Sequence, residues 1–489
     1  TYVNVTGRME DRKYPTRSAE NIFRMLMRSK PNSPAYWPDG RPGPDIEFGD
    51  NPVVICTNQT GYERDKRYVL NGDFGVNIKV PYVEGLTLKA TASLDKTFRF
   101  RKIWQKPWYL YSWDGTSMDE NGQPLLVEGK KGFSDPRLTE SMEDNLGVLL
   151  SGIASYSHTF AQDHDVNILA GVERITDKGD SFEAYRRYFL SAAIDQLFAG
   201  GQDEMNNTGT GYEEARLNYF GRVNYAYQDK YLAEVLFRSD SSTKFAPENY
   251  WGFFPSMSLG WIVSQEKFMR LKWVEYLKIR GSFGLTGRDN TAPWQWMQIY
   301  STESGKGPVF GTTGNINASK PISINKYNSA VNRDVHWDKS YKANFGIDFT
   351  TLNSRLAFNV DAYYTWNREM LMNIEQTVPT TVGTQSAAVN LGEMDNYGIE
   401  ISATWRDRIG KDFKYKIGIN TGYSDNKVLM MDFEEEYLYR QITKGDRSDI
   451  GTWGIQCMGM FRSFQDIEEY FNTYHITDYM GLTKDEVRP

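Results

Sequence analysis

Between Leu217 and Arg238 apolar and polar residues alternate with a period of two, and no other stretch constrains the fold as tightly. One face of the first arm carries Leu217, Tyr219, Gly221, Val223, Tyr225 and Tyr227; the other carries Asn218, Phe220, Arg222, Asn224, Ala226 and Gln228. Successive side chains of a strand point to opposite faces, so this period reads as β-structure. The tight Gln228-Asp229-Lys230 connection returns the chain into Tyr231, Ala233, Val235 and Phe237, set against Leu232, Glu234, Leu236 and Arg238. The result is an antiparallel hairpin. A soluble sandwich turns such an apolar face inward. A membrane barrel turns it toward lipid and its polar face toward a lumen. One hairpin is compatible with both.

The bulk numbers narrow the choice. No run of 18 or more apolar residues occurs, and mean hydropathy is −0.59, which excludes a helical membrane protein but not a barrel. Aromatic residues make up 14% of the 489 residues, and Tyr and Trp suit a membrane–water boundary. The net charge of −7 gives no support to nucleic-acid binding. Cys56 and Cys457 are too few and too far apart for a disulfide scaffold or a cysteine zinc cluster, and whether they are paired is open. The four histidines share no close helical spacing with carboxylates, so no metal is expected.

Along the chain, residues 1–9 read as extended, and Ser18 reads as the cap of a short helix from Ala19 to Arg28. Alternation starts at Arg67 and recurs near 143–160, 165–187, 253–264 and 277–286. It returns from Tyr341 to Trp366 around a Leu352-Asn353-Ser354 turn, then in a pair from Tyr397 to Tyr423. Residues 188–213 and 287–335 read as long connections. Short and long connections alternate, as the periplasmic turns and external loops of a transmembrane barrel do. Aromatics gather at strand ends, in Trp251-Gly252-Phe253-Phe254 and Tyr363-Tyr364-Thr365-Trp366. The expected fold is all-β: a large antiparallel transmembrane β-barrel, here about a dozen strands, with long external loops and one short helix near the N-terminus. Residues 1–66 are the first strand and a long loop with that helix, 67–428 the barrel hairpins, and 429–489 an external loop region. The pattern starts and stops in mid-course, as in part of a longer chain.

Chemical motifs fail. Gly209-Thr210-Gly211 lacks the third glycine and helix of a dinucleotide fingerprint, and Ser304-Gly305-Lys306-Gly307 lacks phosphate-loop spacing. Glu434-Glu435-Glu436 reads as a solvated loop rather than an acid/base or calcium group. Neither a nucleophile elbow nor an HExxH motif occurs, so no catalytic residue and no cofactor are expected.

The run from Phe237 through Arg238-Ser239-Asp240-Ser241-Ser242-Thr243-Lys244-Phe245-Ala246-Pro247, followed by Trp251 to Trp261, resembles the SusC family of TonB-dependent outer-membrane transporters. Leu277 to Gly284, Asn344 to Phe349, Asn390 to Gly392 and Asn396 to Glu400 resemble later family strands in order. The resemblance runs from about Asn51 and weakens after Asp432. It implies a 22-stranded barrel closed by an N-terminal plug and lidded by a SusD-like surface lipoprotein. It further implies energy from the TonB complex, import of oligosaccharides or peptides, and a place in the outer membrane of a Gram-negative, Bacteroidetes-like cell. The plug, TonB box and terminal aromatic strand are not seen in this sequence.

Under that reading the lumen face carries Asn218, Arg222, Asn224, Glu234, Arg238, Lys278, Arg280, Asp348, Asn359, Asp361 and Glu400. The substrate-contact candidates are Arg222, Glu234, Arg238 and Asp361 from that face, with Trp108, Tyr109, Trp294 and Trp296 on external loops or strand ends. Barrel interiors are polar throughout, so such groups also serve simply to pair with one another or with the plug. Aromatic faces suit sugar rings but equally an interface belt. The runner-up is a soluble all-β glycan-binding or glycan-processing domain, with apolar faces turned inward and a carboxylate pair at glycosidase spacing. A passive porin is disfavoured only by the resemblance.

Overall fold

The computed structural model describes residues 1–269, 271–303, 323–326, 330–374, 381, 387–432, 442–449, 451, 459–479 and 481–488. The chain opens with β1 (Tyr2–Tyr14), then the helices α1 (Ala19–Arg28) and α2 (Pro52–Ile55). Next come β2 (Gly61–Lys79), β3 (Leu86–Gln105), the small hairpin β4 (Trp108–Ser112) and β5 (Val127–Lys131), β6 (Arg137–Phe160) and β7 (His164–Arg187). They are followed by β8 (Asn206–Tyr227), β9 (Tyr231–Ser241), β10 (Trp251–Ile262) and β11 (Val274–Arg288). A second small hairpin, β12 (Tyr300–Glu303) and β13 (Ser323–Lys326), precedes β14 (Asp338–Thr351), β15 (Leu356–Asn373), β16 (Ala388–Ile409) and β17 (Phe413–Met430). The helix α3 (Phe464–Tyr474) and the two-residue strands β18 (Asp478–Tyr479) and β19 (Leu482–Thr483) complete it.

Among the described residues thirteen strands form one antiparallel sheet in the order β1-β2-β3-β6-β7-β8-β9-β10-β11-β14-β15-β16-β17. Each strand of the sheet pairs with its predecessor and successor along the chain, leaving out only the small hairpins. At one end the connections 80–85, 161–163, 228–230, 352–355 and 410–412 are short and 263–273 is of middle length; at the other end 242–250 is of similar middle length and the rest are longer. The 228–230 turn closes through the Lys230 amide on the Tyr227 carbonyl, and its two central residues Gln228 and Asp229 both take left-handed backbone angles, φ 54° and 51°, as a type I′ turn requires. Leu352, Asn353 and Ser354 do the same at their turn.

The apolar faces look outward. Phe74, Leu88, Leu150, Ile168, Val223, Val235, Met257, Phe283, Phe345 and Ile417 are all exposed in the isolated chain, a face that only lipid covers at low cost. A soluble sandwich would bury them. Aromatic contacts bound this band at two heights. Near the short turns His164, Tyr227, Tyr231 and Trp261 form a chain of neighbouring rings with centroids 4.9, 6.3 and 6.5 Å apart. Toward the long loops Tyr219 stacks on Trp251 at 5.9 Å and Tyr364 on Tyr397 at 5.7 Å. These are the two interface belts of a transmembrane barrel.

Strands β6 and β7 run 24 residues each, whereas about 9–11 suffice to cross a bilayer. Their outer halves therefore stand above the membrane, where both faces are wet. This explains three differences from the sequence reading. β2 begins at Gly61 rather than Arg67, β6 at Arg137 rather than near 143, and β8 at Asn206 rather than after 213. Main-chain pairing such as Tyr185 with Asn206 continues without any need for apolar alternation.

Apolar burial is concentrated in the loops and strand tips. Met25 of α1, Val54 and Ile55 of α2, and Trp108 and Leu110 of β4 make one cluster, so the loop after β1 and the loop after β3 pack as a single body. Ser18 caps α1 as its sequence predicts, accepting from the Asn21 amide. The short helix expected near the N-terminus is α1, and two further helical segments accompany it. α2 is an added turn capped by Asn51, and α3, within the region read as external loop, is capped by Ser463 and buries Ile467 and Phe471 against Val487. Cys56 is a free, exposed thiol; Cys457, like Ser304 to Gly307 and Glu434 to Glu436, lies outside the described residues.

Candidate functional site: the lumen wall and its mouth

The same period that sends Val223 and Val235 to lipid sends Arg222, Asn224, Glu234 and Arg238 to the opposite face. That face is concave: Asn167, Asn224, Glu234, Ser258, Lys278 and Asn344, from six successive sheet strands, line one hollow. Asn359, Asp361, Glu400, Ser402 and Asn420 line a second.

Charges on this wall fall into two groups. The first group is paired. Arg280 Nη2 donates to Asp361 Oδ2 at 2.6 Å, and its Nε lies 3.2 Å from Asp348. Arg238 is held by Asp240 at 3.0 Å, stands over the Phe220 ring, and lies 3.9 Å from Glu173, which accepts from Asn218 Nδ2 at 3.0 Å. Nearer the outer end, Arg99 grips Asp65 through two bonds of 2.8 and 2.9 Å and reaches Glu143 at 3.1 Å. Bidentate geometry of this kind fixes both partners. The second group includes Arg222, Glu234, Lys278 and Glu400, for which no ion pair is found among the described residues.

The candidate aromatics divide as well. Trp108 is 2% exposed, enclosed by the loop cluster, with its indole N–H donating to the Gly49 carbonyl at 3.0 Å. Its expected role in presenting a face to substrate is corrected accordingly: the ring is a core residue of the loop body. Tyr109, next on the same strand, points the other way and is exposed. Trp294 is exposed, 6.3 Å from the half-buried Trp296, over which the Arg333 guanidinium sits at 5.5 Å. Arg333 in turn makes a bidentate pair with Glu248 at 3.0 and 3.1 Å, joining the loop after β9 to that before β14.

Sequence reasoning missed one mouth contact. Arg187, at the end of β7, donates to both oxygens of Asp135, at 3.1 and 2.6 Å, and also reaches Glu204, which accepts from the Tyr188 hydroxyl at 2.7 Å. The bonds from Arg187 hold the Asp135 carboxyl well below the usual carboxylate range. Pairing across 52 residues of sequence becomes visible only once β6 and β7 are known to run in register to their tips. Among the described residues no group of three or more His, Cys, Asp or Glu could hold a metal, and no helix is long and apolar enough to cross a membrane.

Comparison with known proteins agrees with this architecture. The family model described as "TonB dependent receptor-like, beta-barrel" matches residues 20–454. The chain is 26% identical over 313 residues to TonB-dependent receptor P39 of Formosa agariphila, covering 63% of this chain and 28% of that one. It is 30% identical over 237 residues to TonB-dependent receptor SusC of Bacteroides thetaiotaomicron, covering 48% of this chain and 22% of that one. The solved RagAB peptide importer in its closed-closed state shares the fold, with TM-score 0.62 and 22% identity over 76% of this chain and 37% of that chain. The chain thus spans about a third or less of the length of the two curated relatives. It belongs to the TonB-dependent receptor-like β-barrel family, is SusC-like, and lies in the outer membrane of a Bacteroidetes-type cell.

Proposed function

We propose that this chain forms the wall and mouth of an active importer that carries oligosaccharides or peptides across the outer membrane. Gating is by a plug, energy comes from the TonB complex, and a SusD-like surface lipoprotein lids the loop end. The observation that carries this reading is the sorting of lumen charges. Arg280, Arg238 and Arg99 are neutralised in place, whereas Arg222, Glu234, Lys278 and Glu400 are left to face the lumen with both signs represented. A structural wall has no need of uncompensated charge, and a passage for one sign of ion would carry one sign. Mixed charges suit a cargo that itself carries both, which favours peptides; the RagAB relative is a peptide importer. Exposed Trp294 and Tyr109 at the mouth favour sugars on the same kind of argument.

The test is to solubilise the native outer membrane in mild detergent and identify what co-purifies with the full protein. Recovery beside a surface lipoprotein, with peptide or glycan in the lumen, supports the proposal. Recovery from the soluble fraction, alone and folded, replaces it with the glycan-binding domain.

A further inference from the structure

The outward face carries one feature that import does not use. On β7 the lipid-facing residues run His164, Val166, Ile168, Ala170, Val172 and then Arg174. Arg174 is exposed, makes no ion pair among the described residues, and stands opposite Leu150 on one side and Leu217 on the other. It is ten residues past the 161–163 turn, about 33 Å along the strand at 3.3 Å per residue. A tilt near 45° reduces that to roughly the 25 Å height of a barrel's apolar band. Arg174 therefore sits at the outer rim, level with the headgroups of the external leaflet.

Below it the wall is hollow. The small residues Ala90, Ala92 and Gly152 form the floor, Phe74, Leu150 and Val172 stand around it, and Arg174 closes one end. The register places Ala154 beside Ala170 in the next row toward the turns, so the depression continues down the band. A methyl added at Gly152 would meet only Val172, at 3.8 Å, so the floor is low by choice of residue and not by crowding. On a surface that lipid must cover, small residues among large ones leave a depression for a hydrocarbon chain to fill. An arginine at its outer end supplies planar donors for a phosphate.

We propose that this trough binds one phosphorylated, acylated glycolipid of the outer leaflet, with an acyl chain over Ala90, Ala92 and Gly152 and a headgroup phosphate on Arg174. Charge complementarity and the height of Arg174 select the outer leaflet over the inner. Farther out on the same face Lys96 pairs with Asp144 and Lys178 stands in register with Glu213, beyond the trough; among the described residues Arg174 is the cation that lines it. The site is independent of cargo, so it stands or falls apart from the proposed transport.

Native mass spectrometry of the full protein in detergent, titrated with monophosphorylated lipid A, with the same lipid dephosphorylated, and with phosphatidylglycerol, tests this directly. The expected result is one retained lipid A adduct that falls at least fivefold on Arg174→Gln, is kept by Arg174→Lys, and is also lost on Ala90→Phe, which fills the trough. Lys66→Gln, on the same face but away from the trough, should change nothing. Equal retention by wild type and Arg174→Gln overturns the site. Equal capture of the dephosphorylated lipid overturns the phosphate contact, and equal capture of phosphatidylglycerol overturns the assignment to the outer leaflet. Heat-modifiable migration of each variant shows that it is folded, so lost binding is not lost structure.

Discussion

Arg280 on β11 reaches Asp361 on β15 across the whole width of the intervening strand β14, with Nη2 and Oδ2 2.6 Å apart. The residue it passes over is Gly346, paired with Arg280 on one side and Asp361 on the other. A Cβ at Gly346 would lie 2.5 Å from the guanidinium carbon. Glycine serves clearance here rather than backbone freedom: it lets the guanidinium lie flat across β14. Gly346→Ala should push the end of the arginine away and release Asp361, leaving the strand ladder intact. The effects of Gly346→Ala and Asp361→Asn on unfolding in detergent should then be non-additive, because both break one contact. Arg280→Ala, which strands two carboxylates, should cost about 1–3 kcal/mol.

The assignment of faces predicts an asymmetry between neighbours in sequence. Val223→Arg and Phe345→Arg put a charge against mid-bilayer lipid and should each cost about 2–4 kcal/mol in reversible folding into vesicles. Glu234→Gln, one residue from Val235 but on the lumen side, should leave that folding free energy unchanged. Equal behaviour of the two classes contradicts the orientation.

These two predictions also mark where the sequence was legible. Lipid contact imposes strict alternation, so the Tyr219–Phe237 hairpin, the Leu352-Asn353-Ser354 turn and the outward set of Val223, Val235 and Phe345 all stand in the structure where their pattern placed them. Above the bilayer no such rule operates. Gly61 to Lys66 and Asn206 to Glu213 are strand all the same, held by main-chain pairing that side chains do not advertise. The cap of α3 could have been seen: Ser463 with Asp466 precedes Ile467, Tyr470, Phe471 and Tyr474 at helical spacing. The burial of Trp108 could not, since its neighbours Met25 and Ile55 come from a loop one hairpin earlier in the chain. Asp361 lies on the lumen face as its pattern predicts, but its pairing with Arg280 depends on register and diagonal reach; the pairing of Arg238 with Asp240, two residues along the same face of β9, was legible in the alternation itself.

Trp108 anchors the joint body of the first two long loops, so Trp108→Ala should destabilise that body by about 3–5 kcal/mol and remove the hydrogen bond to Gly49. The sheet below should be unaffected. Limited proteolysis of the variant in vesicles should cut within 15–60 and 106–136 while the strands stay protected.

At the neighbouring loop, Arg187 holds Asp135 with its carboxyl depressed below the ordinary value of 3.8. A depressed carboxylate contributes stability that is fully present above its unfolded value and is lost as pH falls toward the folded one. Protease protection of the 188–205 loop should therefore be flat through neutral pH and decline only below about pH 4. Asp135→Asn should lower it at neutral pH, by about 1 kcal/mol for a contact this near solvent, and flatten the acid decline.

Energised uptake separates the proposed active import from passive flow through an open barrel. Native cells with and without the gene for this protein would be given isotope-labelled oligopeptides and oligosaccharides, before and after collapse of the proton-motive force. The account predicts that one cargo class accumulates only when the gene is present and the membrane energised, with that uptake weakened by joint Arg222→Ala and Glu234→Ala substitution in a protein that still reaches the outer membrane. Uptake that continues unchanged after collapse of the proton-motive force, or that is indifferent to the gene, would contradict it.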